Sequence, residues 1–405
     1  MLKGNCLVGQ SGGPTSVINA TLAGVIKSAI NAEQIEKVYG MVHGIEGVSK
    51  ENIIDLTNRF SDPSELDLLI HTPAAFLGSC RHRLPNENDP IYKKIFDFFI
   101  ENNIRYFFYI GGNDSMDTVD KLSKYAKKFE YDINIIGIPK TIDNDLAVTD
   151  HSPGFGSAAK YIATTVREIA RDSRVYDKNM VTIVEIMGRN AGWLTAASVL
   201  ARNEQETAPQ LIYLPEYEFS IDGFLNDIEE ISKKEKQVVV AVSEGVKTSD
   251  GNYVCDSAIL GPSDSFGHKT LTGTANFLSR IVAEKTGAKV RGIELSLMQR
   301  CASHLASATD LTEANAIGSK GVEIALNGGS GKMVYFNRIQ NNPYKIIIEA
   351  ADVSAVANIE KKVPTNWIDS KGQHVSPELV EYLLPLIQGE TNVNYQNGLP
   401  SFAIR

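Results

Sequence analysis

The chain contains 405 residues, with 40 Lys and Arg against 49 Asp and Glu, so its formal net charge is −9. Hydrophobic residues make up 43% and charged residues 22% of the chain, which is typical of a folded globular protein and excludes a disordered chain. An acidic chain without a basic run is not expected to bind nucleic acid or an anionic membrane surface. The sequence has no run of about 18 apolar residues, so it predicts no membrane-spanning helix. The four widely separated cysteines indicate reduced thiols and a cytoplasmic location.

Short apolar runs alternate with longer segments of helical periodicity along most of the chain. The predicted strands lie at residues 6–9, 35–41, 104–110, 133–138, 180–186, 237–242, 290–295 and 333–336. The predicted helices lie near residues 16–30, 90–102, 114–129, 156–173, 190–203, 220–234, 272–286 and 376–388. This alternation is typical of βαβ units and predicts an α/β fold with parallel sheets. At about 100 to 200 residues per domain, the length predicts two domains or one large α/β unit.

Two segments differ from this alternation. Residues 247–273 are rich in Gly, Ser and Asp without periodicity, which predicts a long loop or insertion. The composition changes again after Tyr344. Residues 341–405 are therefore expected to form a C-terminal appendage, whose role the sequence does not indicate.

Two predicted strands end in Gly-Gly turns that lead into helices. The first turn is Ser11-Gly12-Gly13 and the second is Gly111-Gly112-Asn113. Small residues before a helix let backbone N–H groups approach an anion, and open α/β sheets bind ligands at the carboxyl ends of their strands. A plain tight turn explains the first one alone about equally well, and the second, which follows a fully apolar strand, is the stronger signal. Two such turns in one sheet favour a phosphate site, although neither is a nucleotide-binding P-loop.

The strand predicted at residues 133–138 leads into Lys140-Thr141-Ile142-Asp143-Asn144-Asp145. Two carboxylates beside a lysine suit phosphoryl transfer. One carboxylate can accept the proton of an attacking hydroxyl, the other can hold Mg²⁺, and the lysine can neutralise phosphate oxygens. A surface turn rich in Asp and Asn is the alternative interpretation.

Further charged residues follow other predicted strands. Met187-Gly188-Arg189 follows the strand at residues 180–186, Glu244 follows the strand at 237–242, and Arg291 and Arg300 flank residues 292–299. Arginine suits bidentate phosphate binding. Taken singly, each of these residues is also explained by a surface ion pair.

Together these segments resemble the 6-phosphofructokinase family, in their motifs and in their order over about residues 1–340. The resemblance rests on Ser11-Gly12-Gly13, Phe76-Leu77-Gly78-Ser79-Cys80-Arg81, Thr141-Ile142-Asp143-Asn144-Asp145, Met187-Gly188-Arg189, Ser243-Glu244-Gly245 and Gln299-Arg300. It implies two doubly wound, Rossmann-like α/β lobes with the active site in the cleft between them. Residues 1–147 with about 300–340 would form the donor lobe, and residues 148–299 the sugar-phosphate lobe.

Two residues indicate pyrophosphate as the phosphoryl donor. Asp114 and Lys140 stand where ATP-using members of the family have glycines, and this pair resembles the pyrophosphate-dependent branch. Asp114 would repel and obstruct the α-phosphate of ATP, whereas Lys140 would supply a cation to the smaller donor. The resemblance therefore implies reversible transfer from pyrophosphate to the 1-hydroxyl of fructose 6-phosphate, which gives fructose 1,6-bisphosphate and phosphate.

The resemblance also implies roles for individual residues. Asp143 would be the general base, with Lys140 and Asp114 as the other catalytic residues. Gly13, Arg81 and Lys140 would bind pyrophosphate, and Asn113 and Asp145 would hold Mg²⁺. A larger set would bind the sugar phosphate: Thr141, Ile142, Asp143, Met187, Gly188, Arg189, Glu244, Arg291, Leu297, Met298, Gln299 and Arg300.

The chain departs from the family pattern at several positions. Asn113 replaces an aspartate that helps to place Mg²⁺, Met180 replaces an arginine that a neighbouring subunit supplies to the 6-phosphate, and Leu297 replaces a sugar-binding histidine. Ala23 and Lys27 stand where ATP-dependent members have effector-site arginines, so we expect no strong nucleotide regulation. The family implies a homodimer or a homotetramer.

Three other functions stay open on the sequence alone. The first is an ATP-dependent 6-phosphofructokinase, which Asp114 and Lys140 disfavour. The second is a pyrophosphate enzyme for another sugar, such as sedoheptulose 7-phosphate. The third is a non-catalytic regulatory subunit that only binds sugar phosphate, which the presence of Asp143, Lys140 and Arg189 disfavours.

Overall fold

The computed structural model describes residues 2–254, 271 and 273–405. Its strands are β1 (Gly4–Gln10), β2 (Ile35–Met41), β3 (Ile53–Asp55), β4 (Ile104–Gly111), β5 (Asn134–Pro139), β6 (Met180–Ile186), β7 (Leu211–Tyr213), β8 (Gln237–Ser243), β9 (Lys289–Glu294), β10 (Lys332–Gln340), β11 (Lys345–Asp352), β12 (Tyr395–Gln396) and β13 (Leu399–Pro400). Its helices are α1 (Ile18–Ile30), α2 (Gly44–Ser49), α3 (Leu56–Arg59), α4 (Pro63–Ile70), α5 (Pro90–Glu101), α6 (Asn113–Lys128), α7 (Phe155–Ser173), α8 (Trp193–Ala197), α9 (Ile221–Ser232), α10 (Thr274–Thr286), α11 (Ala308–Leu326) and α12 (Pro377–Leu383). Most of the loop predicted at residues 247–273 lies outside the described residues.

Seven strands form the sheet of the larger lobe, in the order β11-β10-β5-β4-β1-β2-β3. The five inner strands are parallel, whereas β3 and β11 pair antiparallel at the two edges. Alternate residues of β1 face opposite cores: Cys6 and Val8 pack with α1 and α11, and Leu7 packs with α5 and α6. Helices therefore cover both faces of the sheet, which is the predicted doubly wound arrangement.

Four parallel strands form the sheet of the smaller lobe, in the order β7-β8-β6-β9. Val184 and Ile186 of β6 pack with α7 and α8 on one face. Val181 and Ile183 pack with α9 and α10 on the other face. The second lobe is thus also covered by helices on both sides.

Helix α11 is the largest element that the sequence patterns do not predict. Gly318 and Gly321 lie in its middle, where glycine weakens a helical signal. Packing against α1 explains the small residues: a Cβ on Gly318 would lie 2.2 Å from the carbonyl oxygen of Thr21, and a Cβ on Gly24 of α1 would lie 2.0 Å from that of Asn315. The glycines let two helices approach closely, and this tertiary contact outweighs their low helix propensity.

Residues 341–405, called the tail below, are built into both lobes. Strand β11 is an edge strand of the large sheet. Leu379, Tyr382 and Leu383 of α12 are buried in the core of the smaller lobe. The tail therefore packs against elements of both lobes, and local composition does not reveal these contacts with distant residues.

The predicted strands are all confirmed. Strands β2 and β6 have the predicted ends, whereas the ends of the others are shifted; for example, the strand predicted at residues 133–138 is observed one residue later. The helix predicted at residues 190–203 is shorter, because α8 continues only as a 3-10 turn at Ser198–Ala201. Among the described residues, no helix is both long and apolar enough to cross a membrane. Cys6, Cys80 and Cys301 are unpaired, and Cys255 lies outside the described residues.

Candidate active site

The carboxyl ends of strands from both sheets face one cavity of about 710 Å³. Turns after β1, β4 and β5 form its wall in the larger lobe, and turns after β6 and β8 form its wall in the smaller lobe. Most of the predicted site residues line this cavity: Gly13, Arg81, Asn113, Asp114, Lys140, Thr141, Ile142, Asp143, Asp145, Met187, Arg189, Glu244, Leu297 and Arg300. The fold thus gathers basic residues from distant parts of an acidic chain.

Lys140 follows β5 and extends to the first Gly-Gly turn. Its Nζ donates to the carbonyl oxygen of Gly13 at 2.6 Å. A Cβ on Gly12 would lie 3.2 Å from this Nζ, and a Cβ on Gly13 would lie 2.9 Å from Nη1 of Arg300. The glycines therefore leave room for two cations against the backbone, as an anion site requires. Burial lowers the pKa of Lys140 to about 8, and the nearby charge of Asp143 opposes this effect.

Asp143 and Asp145 are two half-buried carboxylates in the cavity. Burial raises the pKa of Asp143, whereas Lys140, Arg300 and Arg189 favour its charged form. Burial, and then the negative charge of Asp143, raise the pKa of Asp145 to about 7. A carboxylate with a raised pKa among cations is suited to proton transfer near neutral pH.

Hydrogen bonds between the turns hold the site wall of the smaller lobe. Oε1 of Glu244 accepts a hydrogen bond from the backbone N–H of Gly188 at 3.4 Å, and the Ser243 hydroxyl donates to the Gly188 carbonyl oxygen at 2.6 Å. Gln299 is buried, and its Oε1 accepts the backbone N–H of Met187 at 3.2 Å. Gly188 and Gln299 therefore lie behind the cavity wall. Burial is the main cause that raises the pKa of Glu244 to about 8.

Five polar residues line the cavity without having been predicted as site residues: Arg83, Ser115, Asn190, Asn358 and Glu360. Nη2 of Arg83 lies 3.2 Å from Oδ1 of Asp114 and donates to Oδ1 of Asn358 at 3.4 Å. Nδ2 of Asn190 donates to Oε1 of Glu360 at 2.9 Å. The alternation of Arg81 and Arg83 is a local signal that could have indicated the second arginine. Asn358 and Glu360 have no comparable signal in the sequence.

The Asn113 side chain is bonded to the tail. Its Oδ1 accepts the backbone N–H of Asn358, and its Nδ2 donates to the carbonyl oxygen of Ile359 at 3.0 Å. These bonds fix the tail at the edge of the cavity. Asn113 is therefore less available as a metal ligand than Asp145.

Besides Gly188 and Gln299, two more residues predicted to bind the sugar phosphate, Arg291 and Met298, do not line the cavity. Nη1 of Arg291 lies 3.2 Å from Oδ2 of Asp172 on α7, and the Arg291 side chain is 42% exposed. Met298 is 51% exposed. Leu297 lines the cavity but is 55% exposed. The roles of Arg291 and Met298 stay predictions, because one chain alone does not bring them to the site.

A larger open concavity, of about 1060 Å³, lies at the opposite ends of β5 and β10. Its wall mixes lysines with acidic residues, among them Lys124, Lys127, Asp120 and Asp132. It contains none of the predicted site residues. The chemistry therefore points to the smaller cavity between the lobes.

The family model for phosphofructokinase matches residues 5–325. The chain belongs to the phosphofructokinase family. Two relatives named pyrophosphate–fructose 6-phosphate 1-phosphotransferase are similar over nearly the whole chain. The one from Halomonas elongata is 41% identical, covering 100% of this chain and 96% of the relative, and the one from Xanthomonas campestris pv. campestris is 42% identical, covering 99% and 96%.

A crystal structure of pyrophosphate-dependent phosphofructokinase from Marinobacter aquaeolei is similar to the fold, with a TM-score of 0.88 and 38% identity. The structural match covers 99% of this chain and 95% of the Marinobacter aquaeolei chain. These similarities confirm the predicted family and its fold. Because they span almost the entire chain, they include the tail, which lies beyond the family model.

Proposed function

We infer that the protein reversibly transfers a phosphoryl group from pyrophosphate to the 1-hydroxyl of fructose 6-phosphate, giving fructose 1,6-bisphosphate and phosphate. The observation that carries this inference is that Asp143, Lys140 and Asp114 share one cavity with arginines from both lobes. The reaction joins two anions, so it needs a local concentration of positive charge. The names of the relatives, which match over the whole chain, support the same reaction.

Asp143 is the general base of this reaction. It accepts the proton of the 1-hydroxyl while that oxygen attacks phosphorus, and the bond to the leaving phosphate breaks. Lys140, Arg300 and Arg189 favour the charged form of Asp143 and so counteract its burial. The Thr141 hydroxyl accepts the backbone N–H of Asp143 at 3.0 Å, which orders the turn that carries the base.

Gly13, Arg81 and Lys140 bind pyrophosphate in the larger lobe. Lys140 neutralises the charge that develops on the leaving phosphate. Asp114, in the first turn of α6, occupies the space beside this site and is paired with Arg83 at 3.2 Å. Its bulk and charge disfavour a nucleoside triphosphate as the donor.

Thr141, Arg189 and Glu244 bind the sugar, and Arg300 binds its 6-phosphate. Arg291, Leu297 and Met298 are exposed beside this part of the molecule. Their exposure supports the expected homodimer or homotetramer, in which a second chain would complete the sugar-phosphate site.

Asp145 fits the expected Mg²⁺ site. Its half-buried carboxylate has a pKa raised to about 7, by burial and then by Asp143, and a bound cation would relieve both effects. In the part of the chain that the structure describes, no group of three or more His, Cys, Asp or Glu is arranged to hold a metal. Mg²⁺ commonly uses one or two carboxylates together with phosphate oxygens and water. When bound, it would neutralise the donor oxygens.

We expect the larger lobe to bind the donor and the smaller lobe to bind the sugar phosphate. We also expect a cytoplasmic location, which the unpaired Cys6, Cys80 and Cys301 support. Nucleic acid and membranes are not expected partners of this acidic chain.

A coupled assay with the purified protein tests the function directly. Fructose 6-phosphate is supplied with pyrophosphate, with ATP or with no donor, and sedoheptulose 7-phosphate replaces the sugar in parallel. We expect turnover with pyrophosphate and fructose 6-phosphate, and the reverse reaction from phosphate and fructose 1,6-bisphosphate. A preference for ATP would contradict the donor, and no turnover with either donor would favour a regulatory subunit.

The alkaline part of the pH profile should depend on Lys140. Its pKa is lowered to about 8 by burial, so the lysine is charged below this pH and neutral above it. We therefore expect kcat/KM for pyrophosphate to fall about tenfold per pH unit above about pH 8. Lys140→Arg, which stays charged, should move this decline to higher pH. Comparing both proteins in the same buffers removes the effect of pyrophosphate ionisation, and identical profiles would contradict the assignment.

A further inference from the structure

Asn144 lies between the two carboxylates of the cavity, Asp143 and Asp145, and is fully buried. Its φ is 54°, a left-handed conformation that Asn adopts more readily than most residues but still at a cost. Such a conformation persists where the surroundings hold it. It also sets the direction of the backbone on both sides, so contacts to Asn144 act on both carboxylates.

Two tail residues hold the Asn144 side chain. Its Nδ2 donates to the Tyr382 hydroxyl at 2.9 Å, and its Oδ1 accepts from Nζ of Lys361 at 3.3 Å. The backbone N–H of Ser152 donates to the same Oδ1 at 3.1 Å. The side-chain amide thus bonds through both its nitrogen and its oxygen to the tail. Its partners are distant in sequence, since Tyr382 lies 238 positions and Lys361 lies 217 positions from Asn144.

Lys361 and Tyr382 also hold the other end of this loop. The Tyr382 hydroxyl donates to the carbonyl oxygen of Asp150 at 2.6 Å. Nζ of Lys361 donates to the same oxygen at 2.7 Å and to that of Thr149 at 3.1 Å. The backbone N–H of Lys361 donates to the Asp145 carbonyl oxygen at 2.7 Å. Two tail residues therefore fix residues 144–150 at both ends.

Buried charged pairs hold these partners in turn. Nη2 of Arg338 lies 2.8 Å from Oδ2 of Asp150, and its Nη1 donates to the Tyr382 carbonyl oxygen at 2.9 Å. The buried His151 ring lies between Asp150 at 2.8 Å and Glu313 at 2.7 Å. Displacing any member would leave a charge buried without its partner, which is strongly unfavourable. The support behind Asn144 is therefore rigid.

We propose that Lys361 and Tyr382 are positioning residues that hold Asn144 and thereby aim Asp143 and Asp145 into the cavity. The proposal rests on the proposed function and gives the tail a part in catalysis. Moving a catalytic group by about 1 Å can cost about a hundredfold in rate. Loss of either contact should therefore lower turnover more than it weakens substrate binding.

Tyr382→Phe tests the proposal, because it removes one hydroxyl and leaves the packed ring. We expect kcat to fall about ten- to a hundredfold, with the KM values for fructose 6-phosphate and pyrophosphate within about threefold of wild type. Tyr395→Phe is the matched control, since Tyr395 is a tail tyrosine that is 61% exposed. It should leave both parameters unchanged. Thermal melts of each protein set the assay temperature well below unfolding, so that folded enzymes are compared.

A double-mutant cycle with Asn144→Ala separates positioning from general destabilisation. In the Asn144→Ala variant, adding Tyr382→Phe should lower kcat by less than about twofold further, because the Asn144 side chain that Tyr382 holds is already absent. Lys361→Met, alone and combined with Asn144→Ala, gives a second double-mutant cycle with the same expected result. This second cycle tests the proposal if Tyr382→Phe does not fold. Equal losses in both backgrounds, or a Tyr382→Phe kcat close to that of wild type, would overturn the proposal. A wild-type protein inactive with pyrophosphate would instead reject the proposed function, and this inference with it.

Discussion

Replacing Asp143 by Asn should lower kcat by about 10²- to 10⁴-fold and leave fructose 6-phosphate binding nearly unchanged. Asn has the same shape but cannot accept the proton of the 1-hydroxyl. Lys140, Arg189 and Arg300, whose charges favour an anion beside Asp143, are retained. Removal of one negative charge from this group should slightly tighten the binding of pyrophosphate.

Steady-state kinetics and separate calorimetric titrations with each substrate measure these effects. Asp67→Asn is a matched control, because Asp67 is an exposed aspartate on α4, and it should keep full activity. Asp143→Ser tests the same role with a shorter side chain. A kcat of Asp143→Asn within about tenfold of wild type would show that another group accepts the proton.

The strands and the main site turns could be predicted because their signals are local. The run Tyr106-Phe107-Phe108-Tyr109-Ile110 is apolar throughout, as expected for a strand covered on both faces, and all five residues are buried. The turn after β5 carries its lysine and its carboxylates within six residues. In a parallel sheet, the carboxyl ends of neighbouring strands meet at one edge, so these local motifs were also expected to meet in space.

The remaining features depend on contacts between distant residues. Helix α11 carries glycines that reduce its predicted helicity, and only tertiary packing explains them: Gly318 lies against α1, and Gly321 lies against Ile138 of β5. Asn358 and Glu360 border the cavity, and Lys361 and Tyr382 hold Asn144. No local spacing in the tail indicates these roles, because the partners lie in the earlier part of the chain.

Replacing Asp114 and Lys140 together by Gly should open some use of ATP and reduce the use of pyrophosphate. Loss of Asp114 removes bulk and a negative charge from the donor side of the cavity and leaves Arg83, its partner at 3.2 Å, free to meet a further phosphate. Loss of Lys140 empties the space beside the Gly13 carbonyl oxygen, where its Nζ lies at 2.6 Å. It also removes a cation that stabilises the transition state, so kcat with pyrophosphate should fall about 10²- to 10³-fold.

The measured quantity is the ratio of kcat/KM for ATP to kcat/KM for pyrophosphate, in the double variant and in each single variant. Asp114→Asn separates the two effects of the aspartate, since it removes the charge and keeps the bulk. If charge repulsion is the main barrier to ATP, Asp114→Asn should gain ATP use. If steric obstruction is the main barrier, only Asp114→Gly should gain it. Glycine near the start of α6 should cost about 1 kcal/mol in helix propensity, so melts accompany the kinetics. A double variant that keeps the wild-type ratio would mean that the cavity excludes ATP through other residues, and the exposed Arg83–Asp114 pair would then serve mainly to bind pyrophosphate.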